Sequence, residues 1–202
     1  MSAKKTPIPA GSIIDFLDRG IQLKKIARQG WILKGIEKPE SVADHTMNCC
    51  LLALVYARSE GLDAGRLVSL SLTHDIGESV IGDLIWERGR ITNIKKQAIK
   101  HRDEMTAIRE VLEPVRLTDV RRLVEEFLEQ KTPEARAMKE IDKIEMVLQA
   151  LAYEKEVEDP NSLVEFWEST AKYLKSDFAW GLFEELKRRS GITAPLPERP
   201  TR

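Results

Sequence analysis

The chain has 202 residues, of which 32% are charged, and its 32 Lys and Arg nearly cancel its 33 Asp and Glu. That balance leaves no overall basic field to hold nucleic acid nonspecifically, and no apolar run reaches the length of a membrane span. The length allows one substantial core without a Pro- or Ser-rich linker to divide it, so a single domain with a small-molecule partner is expected.

Helical periodicity runs through almost every stretch after residue 10, and β-branched runs bounded by turns are missing, so the fold class is all-α. Residues 1–10 read as an N-terminal extension, 11–190 as one helical domain and 191–202 as a Pro-rich tail. The spacing predicts helices over 11–28, 41–60, 63–76, 95–113, 117–130, 132–156, 160–174 and 177–190. Ser41 with Asp44 forms a capping-box-like start, and Thr132-Pro133-Glu134 supplies a cap, a first-turn proline and a favourable charge. Between these two helices, Gly77, Gly82 and Gly89 interrupt the pattern and place Glu78 and Asp83 on a turn or loop. The opening MSAKKTPIPA lacks the apolar stretch of a signal peptide. Cys49 and Cys50 would leave a helix in diverging directions, which disfavours a disulfide between them. A soluble cytoplasmic protein is expected.

Chemistry is suggested by His45, the pair His74-Asp75 and Asp142. Two imidazoles and two carboxylates suit a divalent cation of borderline hardness, and only the tertiary fold could bring them together from three segments. Each has a plainer reading when taken alone. His45 would be a hydrogen-bonded core histidine, His74-Asp75 a helix-terminal pair, and Asp142 a solvated residue just off the apolar arc of its helix. Glu145 falls inside that arc, where a carboxylate needs a partner or a proton, and is expected to orient a ligand or a neighbouring basic group. Cys49, four residues after His45, could geometrically share a metal with it, although a buried thiol is the simpler state. Lys95, Lys96, Lys100, His101 and Arg102 read as an exposed basic face.

The runs GWILKGIEKPESVADH, LVSLSLTHDIGESVIGD and ARAMKEIDKIEMVLQALAYE resemble the three signature segments of the HD-domain superfamily, specifically its YfbR-like 5′-deoxynucleotidases. The resemblance implies an all-helical HD domain, usually a homodimer, that releases phosphate from deoxyribonucleoside 5′-monophosphates with a divalent metal (Mn, Co, Mg or Zn). It makes His45, His74, Asp75 and Asp142 the metal ligands and Glu78 and Asp83 the acid/base pair. Glu78 would activate water and Asp83 would serve the leaving 5′ oxygen. In relatives with a second cation, Glu78, Asp83 and the Leu84 carbonyl would hold it. The resemblance also puts Arg28 on the phosphate and Trp31 against the sugar, beside a core Trp and a solvated Arg as the plainer reading. The alternatives are an HD-type phosphodiesterase and a non-catalytic, metal-stabilised binding module. The latter would not require two acids beyond the ligand set.

Overall fold

Residues 7–83 and 94–200, the part described by the computed structural model, form ten α-helices and no β-strand. In chain order these are α1 (Ala10–Leu23), α2 (Gln29–Ile32), α3 (Val42–Glu60), α4 (Ala64–Thr73), α5 (Glu78–Ile81), α6 (Ile94–Leu112), α7 (Thr118–Glu129), α8 (Pro133–Tyr153), α9 (Val164–Ala171) and α10 (Asp177–Arg189). A 3-10 turn, Pro160–Leu163, precedes α9. The class is all-α, as the periodicity predicts. None of the described helices is long and apolar enough to cross a membrane, and both cysteines are free thiols.

Local chemistry sets the helix starts. At α3 the Asp44 N–H donates to Ser41 Oγ (3.2 Å), while the Ser41 N–H donates to Asp44 Oδ2 (2.9 Å), completing a capping box. Gly61 ends that helix at φ 67°, a left-handed conformation that glycine adopts without a Cβ clash. At α8, Thr132 Oγ1 accepts the Ala135 N–H (3.2 Å) and Pro133 occupies the first turn.

Four predicted helices are clearly shorter than expected. Those over 63–76 and 132–156 end at Thr73 and Tyr153. α1 stops at Leu23 rather than at residue 28, because the chain turns so that Ala27 can bridge to Ser41; the apolar residues there continue a helical spacing that the backbone abandons. The stretch predicted as 160–174 begins as the 3-10 turn and is α-helical only over Val164–Ala171. The expected tail is also tied down. Glu154 accepts the Gly191 N–H (2.7 Å), Asn161 Oδ1 accepts the Ala194 N–H (2.9 Å), and Ile192 and Leu196 pack against the core.

α8 is the central element and packs against α3, α4, α7, α9 and α10. Apolar residues on several of its faces, including Met138, Ile141, Ile144, Val147 and Ala150, are fully buried or nearly so. A helix buried around most of its circumference fixes the polar side chains it carries, and Asp142 and Glu145 are among them.

Trp31 belongs to a separate cluster with Ile36, Met146, Ala150, Tyr153 and Leu163. It is 1% exposed, its indole N–H donates to Glu40 Oε1 (2.8 Å), and its ring packs on Tyr153 and Phe166. Trp31→Ala is therefore expected to destabilise the fold by about 3–5 kcal/mol, measurable as a shift of the chemical denaturation midpoint; a midpoint equal to wild type would contradict this packing.

Candidate metal centre

His45 lies one turn into α3 and is 0% exposed. Its Nδ1 pairs with Glu145 Oε2, and the other Glu145 oxygen accepts a hydrogen bond from Asn48 Nδ2 (3.1 Å). With Nδ1 engaged, Nε2 faces the carboxylates, 3.6 Å from Asp142 Oδ1 and 3.8 Å from Asp75 Oδ2. His74 follows the last residue of α4. A carbonyl can only accept, so its Nδ1, 2.8 Å from the Ser71 carbonyl, carries the proton. His74 Nε2 is thereby turned inward, 3.2 Å from Asp75 Oδ2, buried and without a hydrogen bond. Two inward imidazole nitrogens, each backed by an acceptor on the other ring nitrogen, and two carboxylates make a donor set of the kind that could hold a divalent cation. A buried imidazole nitrogen that faces a carboxylate without making a hydrogen bond to it fits a cation held between the two.

The charges around this cluster are unequal. Burial opposes ionisation of Asp75, yet His74, Arg28 and His45 hold its carboxyl below the usual carboxylate range. Asp142 is depressed too, against its own burial, by Lys143, Lys139 and the two histidines. Both lysines reach the same Asp142 oxygen, Lys139 Nζ at 3.2 Å and Lys143 Nζ at 3.3 Å. His74 is raised, because Asp75 and Asp142 outweigh its desolvation. Glu78 moves the other way for an acid: burial, with Asp75 and Asp83 beside it, pushes it up to about 10.

A cavity of about 210 Å³ opens on the cluster, lined by His74, Asp75, Glu78 and Asp142 on one side and by Ile108, Phe127 and Leu128 on another. Glu78, expected on a turn or loop, is instead the first residue of the one-turn helix α5, and its Oε2 is buried without a hydrogen bond. Asp83 follows Gly82, whose φ of 78° turns the chain back, and Asp83 Oδ2 accepts the Gln29 N–H (2.7 Å). Arg28 Nη1 stands 3.4 Å from Asp75 Oδ2. Four donors from three segments, the two acids and the arginine thus meet in one place.

A family model described as HD domain matches residues 21–180. The chain belongs to the HD domain family. It is 36% identical over 195 residues to 5′-deoxynucleotidase HDDC2 of Homo sapiens, covering 94% of this chain and 92% of that protein. The Xenopus laevis protein of the same name is 38% identical over 167 residues, covering 81% of this chain and 80% of its own. Among solved structures, a conserved hypothetical protein from Pyrococcus furiosus superposes with a TM-score of 0.69 at 28% identity, over 87% of this chain and 99% of that one.

Trp31 and Asp142 of this HD domain each carry two readings from the sequence. Trp31, which the resemblance puts against the sugar and the plainer reading puts in the core, is 1% exposed with its indole N–H on Glu40, and like Arg28 and Asp83 it is not among the residues lining the cavity. Asp142, which the helix angle allowed to be a solvated flank residue, is buried, because α3 and α4 cover that side of α8. Leu84 and the side chains of Lys95, Lys96, Lys100 and His101 lie outside the described residues, and Arg102 is an exposed partner of Asp103. Cys49 Sγ approaches His45 Nε2 to 3.6 Å, and the two histidines and this thiol cluster tightly enough to share an ion. Burial, with Glu145, Asp142 and Asp75 beside it, raises the Cys49 thiol well above its ordinary range in the metal-free protein. Sequence reasoning missed Asn48, Ser71, Lys139 and Lys143, which orient or neutralise the cluster; their type and spacing carry no signal without the tertiary contacts.

Proposed function

We propose that this chain is a metal-dependent 5′-deoxynucleotidase that releases phosphate from deoxyribonucleoside 5′-monophosphates. The observation that carries the reading is the convergence of His45, His74, Asp75 and Asp142 beside a cavity that also holds Glu78, with Arg28 next to Asp75. The names of the human and frog relatives support the substrate class. When bound by those four side chains, a divalent cation would supply Lewis acidity to a phosphoryl oxygen and to a water.

The remaining duties fall to the chain's own groups. Arg28, partly buried beside Asp75 and held in its charged form, offers a guanidinium fork to the phosphate. Glu78 accepts the proton of the attacking water, and neutralising the carboxylates around it lowers its pKa toward that task. Asp83, fixed by the Gln29 N–H, delivers a proton to the leaving 5′ oxygen. Should a second cation bind, Glu78 and Asp83 are its oxygen donors. Glu145 keeps the His45 ring in one orientation. Glu145→Gln is expected to weaken metal affinity by about 10–100-fold with the four ligands intact, as read by metal titration; unchanged affinity would remove Glu145 from the assembly.

Met47, Leu51, Leu54 and Val55 are exposed and fall within one arc of α3 at helical spacing. We assign this stripe to the contact between two copies of the chain, consistent with a homodimer. Leu51→Asp combined with Leu54→Asp should halve the solution mass measured by light scattering, whereas a wild-type monomer would contradict the assignment. Free cysteines fit a reducing, cytoplasmic setting.

Phosphate release from 5′-dNMPs, 3′-dNMPs, NMPs and a phosphodiester, measured with EDTA and after adding back Mn²⁺, Co²⁺, Mg²⁺ or Zn²⁺, tests the reading. Release confined to 5′-monophosphates, favouring deoxy and lost in EDTA, is expected. Preference for the diester or activity surviving in EDTA would overturn it.

A further inference from the structure

A second cavity, of about 480 Å³, lies between the end of α3, the start of α8 and the α9–α10 junction, within the size range of small-molecule sites. Arg136, Lys139, Lys172 and Lys175 contribute four cationic side chains to its wall, against two carboxylates. One of those, Glu140, is already committed, because it accepts from the Tyr56 and Ser176 hydroxyls and from the Lys175 and Ser176 N–H groups. The other, Glu60, is exposed at the helix end. Lys172 and Lys175 have no carboxylate partner among the described residues. Arg136 uses Nη1 on the Gln130 and Lys131 carbonyls, which leaves its other guanidinium donors available. Tyr173, 45% exposed, and Leu62 add flat and apolar surface beside these charges.

Lys139 lines both cavities. Its Nζ lies 3.2 Å from Asp142 Oδ2 on the metal side and 5.3 Å from the Tyr173 ring centroid on the other. A cation on Asp142 Oδ2 competes with a metal for the same negative charge. An anion in the second cavity would compete with Asp142 for Lys139 in turn.

We propose that this second cavity binds a nucleotide, its phosphates on Arg136, Lys139, Lys172 and Lys175 and its base on the Tyr173 side, and that the occupant draws Lys139 away from Asp142. Binding there strengthens metal loading at the HD site, and metal loading strengthens binding there by the same factor. The coupling rests on Asp142 being a metal ligand; the binding itself does not.

The test uses the full chain and ATP, inorganic tripolyphosphate and adenosine as probes, titrated calorimetrically into metal-free protein. One-to-one ATP binding is expected, with tripolyphosphate weaker and adenosine weaker still. Combining Lys172→Gln with Lys175→Gln should weaken ATP by about tenfold and leave phosphate release without ATP unchanged. ATP binding that ignores the double substitution, tripolyphosphate binding as well as ATP, or no saturable binding overturns the site. Mn²⁺ occupancy at a free Mn²⁺ concentration fixed by a metal buffer reads the coupling. ATP should tighten apparent Mn²⁺ affinity by about fivefold or more in wild type and much less in the double variant. ATP binding with Mn²⁺ occupancy unmoved overturns the coupling, while deoxynucleotide hydrolysis without ATP separately reports whether the nucleotidase reading has failed.

Discussion

His74→Ala is expected to empty the metal centre and to lower kcat/KM for a 5′-dNMP by on the order of 10³-fold or more. The reason lies in what His74 Nε2 lacks. It is buried, it has no hydrogen bond, and the Ser71 carbonyl holds the other ring nitrogen so that the imidazole cannot turn away. Metal content by elemental analysis and steady-state kinetics check the two halves of the expectation together. Melting in EDTA separates ligand loss from misfolding, because the variant should then lie near metal-free wild type while failing to gain stability from added Mn²⁺. A variant that still carries one equivalent of metal would contradict His74 as a ligand.

Glu78→Gln keeps the size of the side chain and removes its proton chemistry. Metal content should persist while kcat falls by about 10²–10⁴-fold with little change in KM. The same substitution reports on the electrostatics of the metal-free protein. Glu78 has an ordinary pKa of 4.5 and is pushed up to about 10 in the folded chain, first by burial and then by Asp75 and Asp83. Between those two values the folded state holds a proton that the unfolded state has released, so Glu78 makes the folded state lose stability as pH rises across the window. The glutamine variant lacks this loss. In EDTA it should therefore gain on wild type between pH 5 and pH 9, by thermal melting, and Mn²⁺ should shrink the difference. Parallel pH profiles for the two proteins would contradict the placement of Glu78 among the site's carboxylates.

Local signals in the sequence were the most legible ones. The Ser41–Asp44 capping box and the Thr132-Pro133 start are set by residues within one turn of each other, and both form where the sequence places them. Glu145 was legible for a related reason. Its angle on the α8 helix falls within the apolar arc, and the structure buries it at 1% exposure against His45 and Asn48. Asp142 was less so, because its helix angle left it at the edge of the arc and only the packing of α3 and α4 decides that it faces inward. At the end of α1, Ile26 and Ala27 continue a helical spacing that a distant bridge to Ser41 overrides. The choice between core and pocket for Trp31 likewise depends on distant residues. Nothing adjacent in sequence indicates that Glu40, Tyr153 and Phe166 enclose its ring. Lys139 and Lys143 read as an ordinary charged flank until the fold brings both to one Asp142 oxygen.

Crystals soaked in Mn²⁺ and measured at the manganese absorption edge test the central claim most directly. The anomalous map should carry a peak within ligand distance of His45 Nε2, His74 Nε2, Asp75 and Asp142. A peak elsewhere, such as on the buried Glu40, His45 and Glu145 cluster, or no peak beside a structure otherwise unchanged, would contradict it.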